Sequence, residues 1–197
     1  MKKGLLIFQK NAEMGKVKTR LAASIGDEAA LEAYNQLVDY THKVVKRTPA
    51  DKILFFSNHL EEDLSNYSKE YRFELQSGKD LGEKMSNAFQ QLFKENYDHL
   101  VIIGTDCAEI TAKLISAAFE TLEESEVVIG PAHDGGYYLL GMRSFIPGLF
   151  KGIPWSTDQV AALTKEYLSQ NEISFGLLPV LSDVDFEEDW VKCKDNL

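Results

Sequence analysis

Two groups of side chains in this sequence are suited to chemistry on phosphates. The first is a single acid. Asp106 follows the apolar run Leu100-Val101-Ile102-Ile103 after only Gly104 and Thr105. Such a β-branched run reads as a buried strand of a parallel sheet. An aspartate just past its carboxyl end stands where open α/β sheets bind ligands. Its charge is costly there unless a cation meets it. One reading is a hard divalent metal, Mg²⁺ or Mn²⁺, holding substrate phosphates. Another is an N-cap for the helix that begins near Thr111, or a loop carboxylate bonded to backbone amides. The second group is basic: Lys10, Lys16, Lys18 and Arg20 place four cations in eleven residues of an acidic chain. With Gly15 between a strand and a helix start, this loop has the make-up of an anion site. Arg20 can grip a diphosphate through two parallel hydrogen bonds. The same loop also reads as a solvated basic segment. It is not a Walker A loop, because Val17 follows Gly15-Lys16 and the upstream glycine is missing.

Other stretches carry weaker signals. Gln76-Ser77-Gly78-Lys79-Asp80-Leu81-Gly82 precedes a helix and reads either as a second wall of a nucleotide pocket or as a plain strand-to-helix connection. His133-Asp134-Gly135-Gly136 combines two polar side chains with glycines that let backbone approach a ligand. Asp134 is a candidate metal ligand or acceptor-handling group, and the same residues fit an Asp-Gly hairpin turn. Trp155 in a loop is suited to stacking on a sugar or base, and equally to packing. Asp183, Asp185 and Asp189 read as acids in the first turn of a terminal helix, caps rather than ligands. Cys107 reads as a buried thiol, not a nucleophile.

The elements that must position these residues alternate. Strands are expected at Gly4–Gln9, Asp51–Ser57, Tyr71–Leu75, Leu100–Ile103, Glu126–Gly130, Tyr137–Leu140 and Phe175–Val180. Helices are expected at Asp27–Lys46, Leu60–Lys69, from the Gly82 region to Phe93, Ile110–Leu122 and Gln159–Leu168, with a terminal helix after Asp183. This alternation predicts a mostly parallel sheet with helices on both faces, in one domain over residues 1–197.

Composition narrows the partners. A formal net charge of -10 argues against general nucleic-acid binding. The two cysteines, Cys107 and Cys193, show no metal-ligand spacing and suit a reducing compartment. The start Met-Lys-Lys-Gly leads into too short an apolar run for a signal sequence, and no run reaches membrane length. The expected location is cytoplasmic, without a membrane partner.

Taken together, Gly15-x-Val17-Lys18-Thr19-Arg20-Leu21, Asp80-Leu81-Gly82-Glu83-x-Met85, Gly104-Thr105-Asp106-Cys107, Gly130-Pro131-Ala132-x-Asp134-Gly135-Gly136-Tyr137-Tyr138-Leu139-Leu140-Gly141, Trp155-Ser156-Thr157 and Asp183-Val184-Asp185 resemble one small bacterial family. It is known as a conserved domain of unknown function, or as glycosyltransferases associated with radical-SAM proteins. The resemblance covers nearly the whole chain. It implies the GT-A, nucleotide-diphospho-sugar transferase fold, a three-layer α/β sandwich. The chain departs from the family pattern at Ala12 and Met14, where prolines are usual, at Lys84 for arginine, and at Ala108 for proline. Lost prolines loosen a loop without removing its charges.

The expected reaction is transfer from a nucleotide-activated donor, a nucleotide sugar first, to a small-molecule acceptor. Asp106 would bind Mg²⁺ or Mn²⁺, with Asp134 as second ligand or acceptor-orienting group. Lys18 and Arg20 would neutralise the leaving phosphate, with Lys10 beside them. Main chain around Gln76, Gly78, Asp80 and Gly82 would hold the base. A homodimer is left open. Two alternatives stand. Cys107 follows Asp106, so the acid stands alone where glycosyltransferases of this fold use Asp-x-Asp. A lone acid resembles nucleotidyltransferases that use an NTP, such as molybdenum-cofactor or phospholactate guanylyltransferases. The altered loop at Ala12 and Met14 is compatible with a non-catalytic nucleotide-binding subunit.

Overall fold

The computed structural model describes residues 1–65, 67 and 69–197. Seven strands form one sheet: β1 (Lys3–Gln9), β2 (Asp51–Phe56), β3 (Tyr71–Leu75), β4 (His99–Ile103), β5 (Val127–Pro131), β6 (Tyr137–Met142) and β7 (Phe175–Leu177). Their spatial order is β3-β2-β1-β4-β6-β5-β7. β6 runs antiparallel to β4 and β5, and every other pairing is parallel. The helices are α1 (Thr19–Ile25), α2 (Asp27–Val45), α3 (Leu81–Lys94), α4 (Ala112–Glu124), α5 (Val160–Gln170) and α6 (Glu187–Cys193). Among the described residues no helix is long and apolar enough to cross a membrane.

The central strands are apolar throughout because both sheet faces are covered. Leu5 and Ile7 of β1, with Val101 and Ile103 of β4, pack against Ile115, Phe119 and Leu122 of α4. Leu6, Leu100 and Ile102 point the other way, onto Met85, Phe89 and Leu92 of α3. The period-2 switch of side chains along a strand makes one apolar run serve two cores. The result is the three-layer sandwich expected from sequence.

Topology fixes the position of a site. From β1 the chain builds outward through β2 and β3. It then crosses back through α3 to place β4 on the other side of β1. The strand order reverses between β1 and β4, which opens a crevice at their carboxyl ends. Lys10 and Gly104-Thr105-Asp106 stand there.

Three expectations fail. No helix forms at Leu60–Lys69: residues 60–65, 67 and 69 are turns, bends and irregular chain, and Asn66 and Ser68 lie outside the described residues. The Asp63 side chain accepts from Ser65 N at 2.8 Å, a local bond that competes with helix formation. Strand β7 stops at Leu177, ahead of Pro179, which cannot donate to a ladder. The terminal helix starts only at Glu187, so Asp183 to Phe186 are not helical.

Beside the crevice, His42 of α2 is buried between two polar partners. Its Nε2 lies 2.8 Å from Gln9 Oε1, and its Nδ1 lies 2.9 Å from the Tyr71 hydroxyl. Gln9 Oε1 can only accept, so Nε2 carries the proton. Burial, helped by nearby Lys46, pushes the imidazole down to about 4. Between that value and the ordinary one near 6.5, the unfolded chain holds a proton that the folded chain lacks. Stability therefore rises with pH across this window and is lost on acidification. Urea denaturation from pH 7 to 4 should show His42→Gln losing less stability than wild type, by up to about 3 kcal/mol. Parallel curves would contradict this.

Candidate active site

The site is assembled around Lys18. This residue caps the start of α1 in the left-handed region, at φ 47° and ψ 42°. That conformation is uncommon for a residue with a side chain and is held only where surroundings fix it. Here they do. The Lys18 side chain is 3% exposed, and its ammonium pairs with Asp106 Oδ1. It also donates to the Val184 carbonyl at 2.8 Å. Val184 N in turn donates to the Asp106 carbonyl at 2.9 Å. The loop after β1, the end of β4 and the C-terminal segment are thus tied at one point. Asp106 stays open to the crevice, with 43% of its side chain exposed. It caps no helix, because Thr111 caps α4 by accepting from Leu114 N.

This arrangement corrects the expected role of Lys18. Its ammonium is committed to protein partners and is not available to grip a phosphate. Arg20 is exposed, and it pairs with Asp185 at 2.8 Å. The helix start adds little, since α1 is only seven residues long. Lys10 and Lys84 also line the crevice, and their ammonium groups make no hydrogen bond or ion pair among the described residues.

The crevice has two lobes that meet at Asp106 and Asp183. One, of about 430 Å³, runs over the carboxyl ends of β1 and β4 to Ser57, Gln76, Asp80 and Lys84. The other, of about 560 Å³, runs past Lys18 and Arg20 to Asp134, Trp155 and Asp158. Both fall within the size range of small-molecule sites. Tyr34 stands at the junction, its hydroxyl donating to the Lys10 carbonyl at 2.7 Å.

Asp183 is the residue that the sequence reading assigned wrongly. It is no cap: Asp189 performs that task, accepting from Phe186 N at 3.0 Å. Asp183 instead turns into the junction. Burial, then the neighbouring Asp106 and Asp134 carboxylates, push it up to about 7, against the pull of Lys18. The rule that singled out Asp106, an acid just past a strand end, also applies to Leu181-Ser182-Asp183. Leu181 bridges Ala132 at the end of β5. The adjacent run of helix-type acids masked that signal.

The other candidates divide. Gln76 and Asp80 line the first lobe; Gln76 Nε2 donates to the Phe55 carbonyl at 3.0 Å, and Asp80 caps α3 by accepting from Glu83 N at 2.8 Å. Asp134, Gly136 and Trp155 line the second lobe, with Gly136 N donating to Asp134 Oδ1 at 2.9 Å. Gly15, Gly78, Gly82 and Gly135 line neither lobe; Gly82 lies in the first turn of α3 and the others shape the surrounding loops. At Gly135, φ is +88° and an added Cβ would lie 2.0 Å from the Asp158 carbonyl oxygen. Gly82 is covered by the Trp155 indole, which also stacks on Phe150. Trp155 therefore both packs and lines the cleft. Burial pushes the Cys107 thiol up to about 12, which suits a structural residue.

Asp106, Asp134 and Asp183 line the second lobe together with the buried Lys18 and bring hard oxygen donors and excess negative charge, the setting that suits Mg²⁺ or Mn²⁺. Among the described residues no three acidic, histidine or cysteine side chains already stand close enough to hold a metal ion. The fit is one of charge and donor type, with the Asp106 side chain 43% exposed to the crevice.

A family model described as an uncharacterised protein conserved in bacteria, DUF2064, matches residues 40–157. The chain belongs to this family. The DUF2064 match spans Asp106 and Asp134, whereas Lys18 and Asp183 lie outside it. A crystal structure of a provisionally named nucleotide-diphospho-sugar transferase from Desulfovibrio desulfuricans G20 is 34% identical, with a TM-score of 0.87 over 94% of this chain and 84% of that one. The 4-diphosphocytidyl-2C-methyl-D-erythritol synthase of Anaerococcus prevotii DSM 20548 shares the fold at 10% identity, with a TM-score of 0.67 over 98% and 97% of the two chains. So does Rv0371c of Mycobacterium tuberculosis H37Rv in complex with manganese, at 11% identity and a TM-score of 0.57 over 100% of both chains. The fold is that of the nucleotide-diphospho-sugar transferases. No match was found among curated proteins.

Two measurements check this construction. Asp106→Asn removes the charge opposite a buried ammonium and should cost about 1–3 kcal/mol in urea denaturation; an unchanged midpoint would contradict the pairing. Gly82→Ala places a Cβ 1.9 Å from Trp155 Nε1. In a Trp190→Phe background it should red-shift the Trp155 emission as the indole is displaced into water.

Proposed function

We propose that this chain is a metal-assisted transferase that moves a sugar from a nucleotide sugar to a small-molecule acceptor, residues 1–197 acting as one domain. The observation that carries the reading is the placement of Asp106 and Asp183 where the two lobes join, with Asp134 on the wall of the second lobe. One lobe has the size for a nucleoside and the other for a second reactant. Asp106 and Asp183, with Asp134, would hold Mg²⁺ or Mn²⁺. When bound, the cation supplies the charge that stabilises a diphosphate leaving group. Lys10 and Lys84, with their ammonium groups uncommitted, flank the donor lobe and neutralise its phosphates. Gln76 and the main chain beside it contact the base. The D. desulfuricans relative, provisionally named a nucleotide-diphospho-sugar transferase, supports the reading.

A second reading keeps the donor lobe and changes the bond broken: nucleotidyl transfer from an NTP. The lone acid favours it: Asp-x-Asp needs a second acid two residues from Asp106, where Gly104 and Ala108 stand, and the neighbouring Cys107 is buried in the core.

Incubation with Mn²⁺ and either nucleotide sugars or NTPs separates the two. Free NDP marks glycosyl transfer and pyrophosphate marks nucleotidyl transfer. Donor binding without any turnover, even slow hydrolysis, would mark a non-catalytic nucleotide-binding subunit. In calorimetry, Asp106→Ala and Asp183→Asn should each weaken Mn²⁺-dependent nucleotide binding at least about tenfold, roughly 1.4 kcal/mol. Binding that ignores both substitutions, or that needs no metal, would sink the proposal.

A further inference from the structure

The second lobe carries chemistry of its own, and its charges bear on what enters it. Five carboxylates line it: Asp106, Asp134, Asp158, Asp183 and Asp185. Three cations oppose them: Lys10, Lys18 and Arg20. Two of these cations are already engaged. Lys18 is buried against Asp106 and the Val184 carbonyl, and Arg20 pairs with Asp185. Lys10 lines both lobes and faces the donor side as well. A divalent cation at the junction would be taken up by the donor diphosphate. Lys10, shared with the donor lobe, is left as the uncommitted cation against five carboxylates. Asp158 is exposed at the outer wall and makes no hydrogen bond or ion pair among the described residues.

The remaining wall is aromatic and hydroxylated. Trp155 stands edge-on to Tyr137, with ring centroids 6.5 Å apart at 83°. Ser156, Thr157 and Thr19 are exposed around it. Aromatic rings, hydroxyls and carboxylates are the surface that suits a polyhydroxylated molecule, and carboxylates repel a phosphate.

We propose that the acceptor is a polyhydroxylated molecule without negative charge, a neutral or amine-bearing sugar or polyol. This rests on the transferase reading above. In the reaction, an acceptor hydroxyl oxygen bonds to the anomeric carbon of the donor sugar. The bond from that carbon to the diphosphate oxygen breaks, its electron pair leaves on the NDP, and the hydroxyl proton passes to solvent.

Binding to the second lobe is read directly by Trp155 fluorescence in full-length Trp190→Phe protein without added divalent metal, so that no free cation draws in the sugar phosphate. The probes are glucose, glucosamine and glucose 6-phosphate. Glucosamine or glucose should bind at least about tenfold more tightly than glucose 6-phosphate. Asp158→Lys should narrow or reverse that ratio, and far-UV circular dichroism checks that the variant is folded. A stronger response to the phosphate, which would mean that Arg20 leaves Asp185 for the ligand, overturns the proposal. So does no response to any probe, or a ratio that Asp158→Lys leaves unchanged. Nucleotide binding is titrated separately. If nucleotide binds but the lobe prefers phosphate, only the acceptor class falls. If no nucleotide binds, the transferase reading falls instead.

Discussion

The buried ammonium of Lys18 is the constraint on which the site depends. A lysine so enclosed is stable only when its charge is met and its protons are bonded. Asp106 supplies the charge and the Val184 carbonyl a second acceptor. To reach them, the backbone adopts a left-handed conformation one residue before α1. The return bond from Val184 N to the Asp106 carbonyl closes the arrangement. Three segments far apart in the chain are thereby held in register at the mouth of the sheet. Asp183, the residue before Val184, is carried into the junction by the same tie.

That tie also sets the electrostatics. Lys18 offsets one carboxylate, and Asp134 and Asp183 add two more. Burial, and after it the Asp106 and Asp134 charges, push Asp183 up, and Lys18 pulls it back only in part. An arrangement of this kind is uneconomical for stability alone, since buried like charges oppose one another. It is well suited to a divalent cation whose own charge is shared with a phosphate-bearing ligand. Of the uncommitted cations, Lys84 lines the first lobe and Lys10 both, and the second lobe carries five carboxylates against three in the first.

Specific departures from the sequence reading each have a physical cause. Trp155 was open between stacking on a ligand and packing. It packs over Gly82, whose missing side chain leaves room for the indole, and it also lines the second lobe. The expected helix after Leu60 is absent, since Asp63 bonds locally to Ser65. The glycines at 15, 78 and 135 build turns and close contacts at the periphery. Their backbone freedom marked the loops correctly without showing which loop atoms would face the cleft.

The sequence by itself determined the layers. Apolar runs with turn residues between them specify strands, and helical spacing specifies α2, α3 and α4, because both are local patterns of burial. It also placed Asp106 and the Lys18–Arg20 loop at strand ends, where a parallel sheet opens. Only the tertiary structure decided that Lys18 is a strut and that Asp183 belongs with Asp106 and Asp134. Those assignments depend on contacts across 88 and 166 residues of chain, between Lys18 and Asp106 and between Lys18 and Val184. A local pattern records which residues can be buried or charged. Which charge meets which is settled when the sheet order brings the ends of β1 and β4 together and the C-terminal segment closes over them.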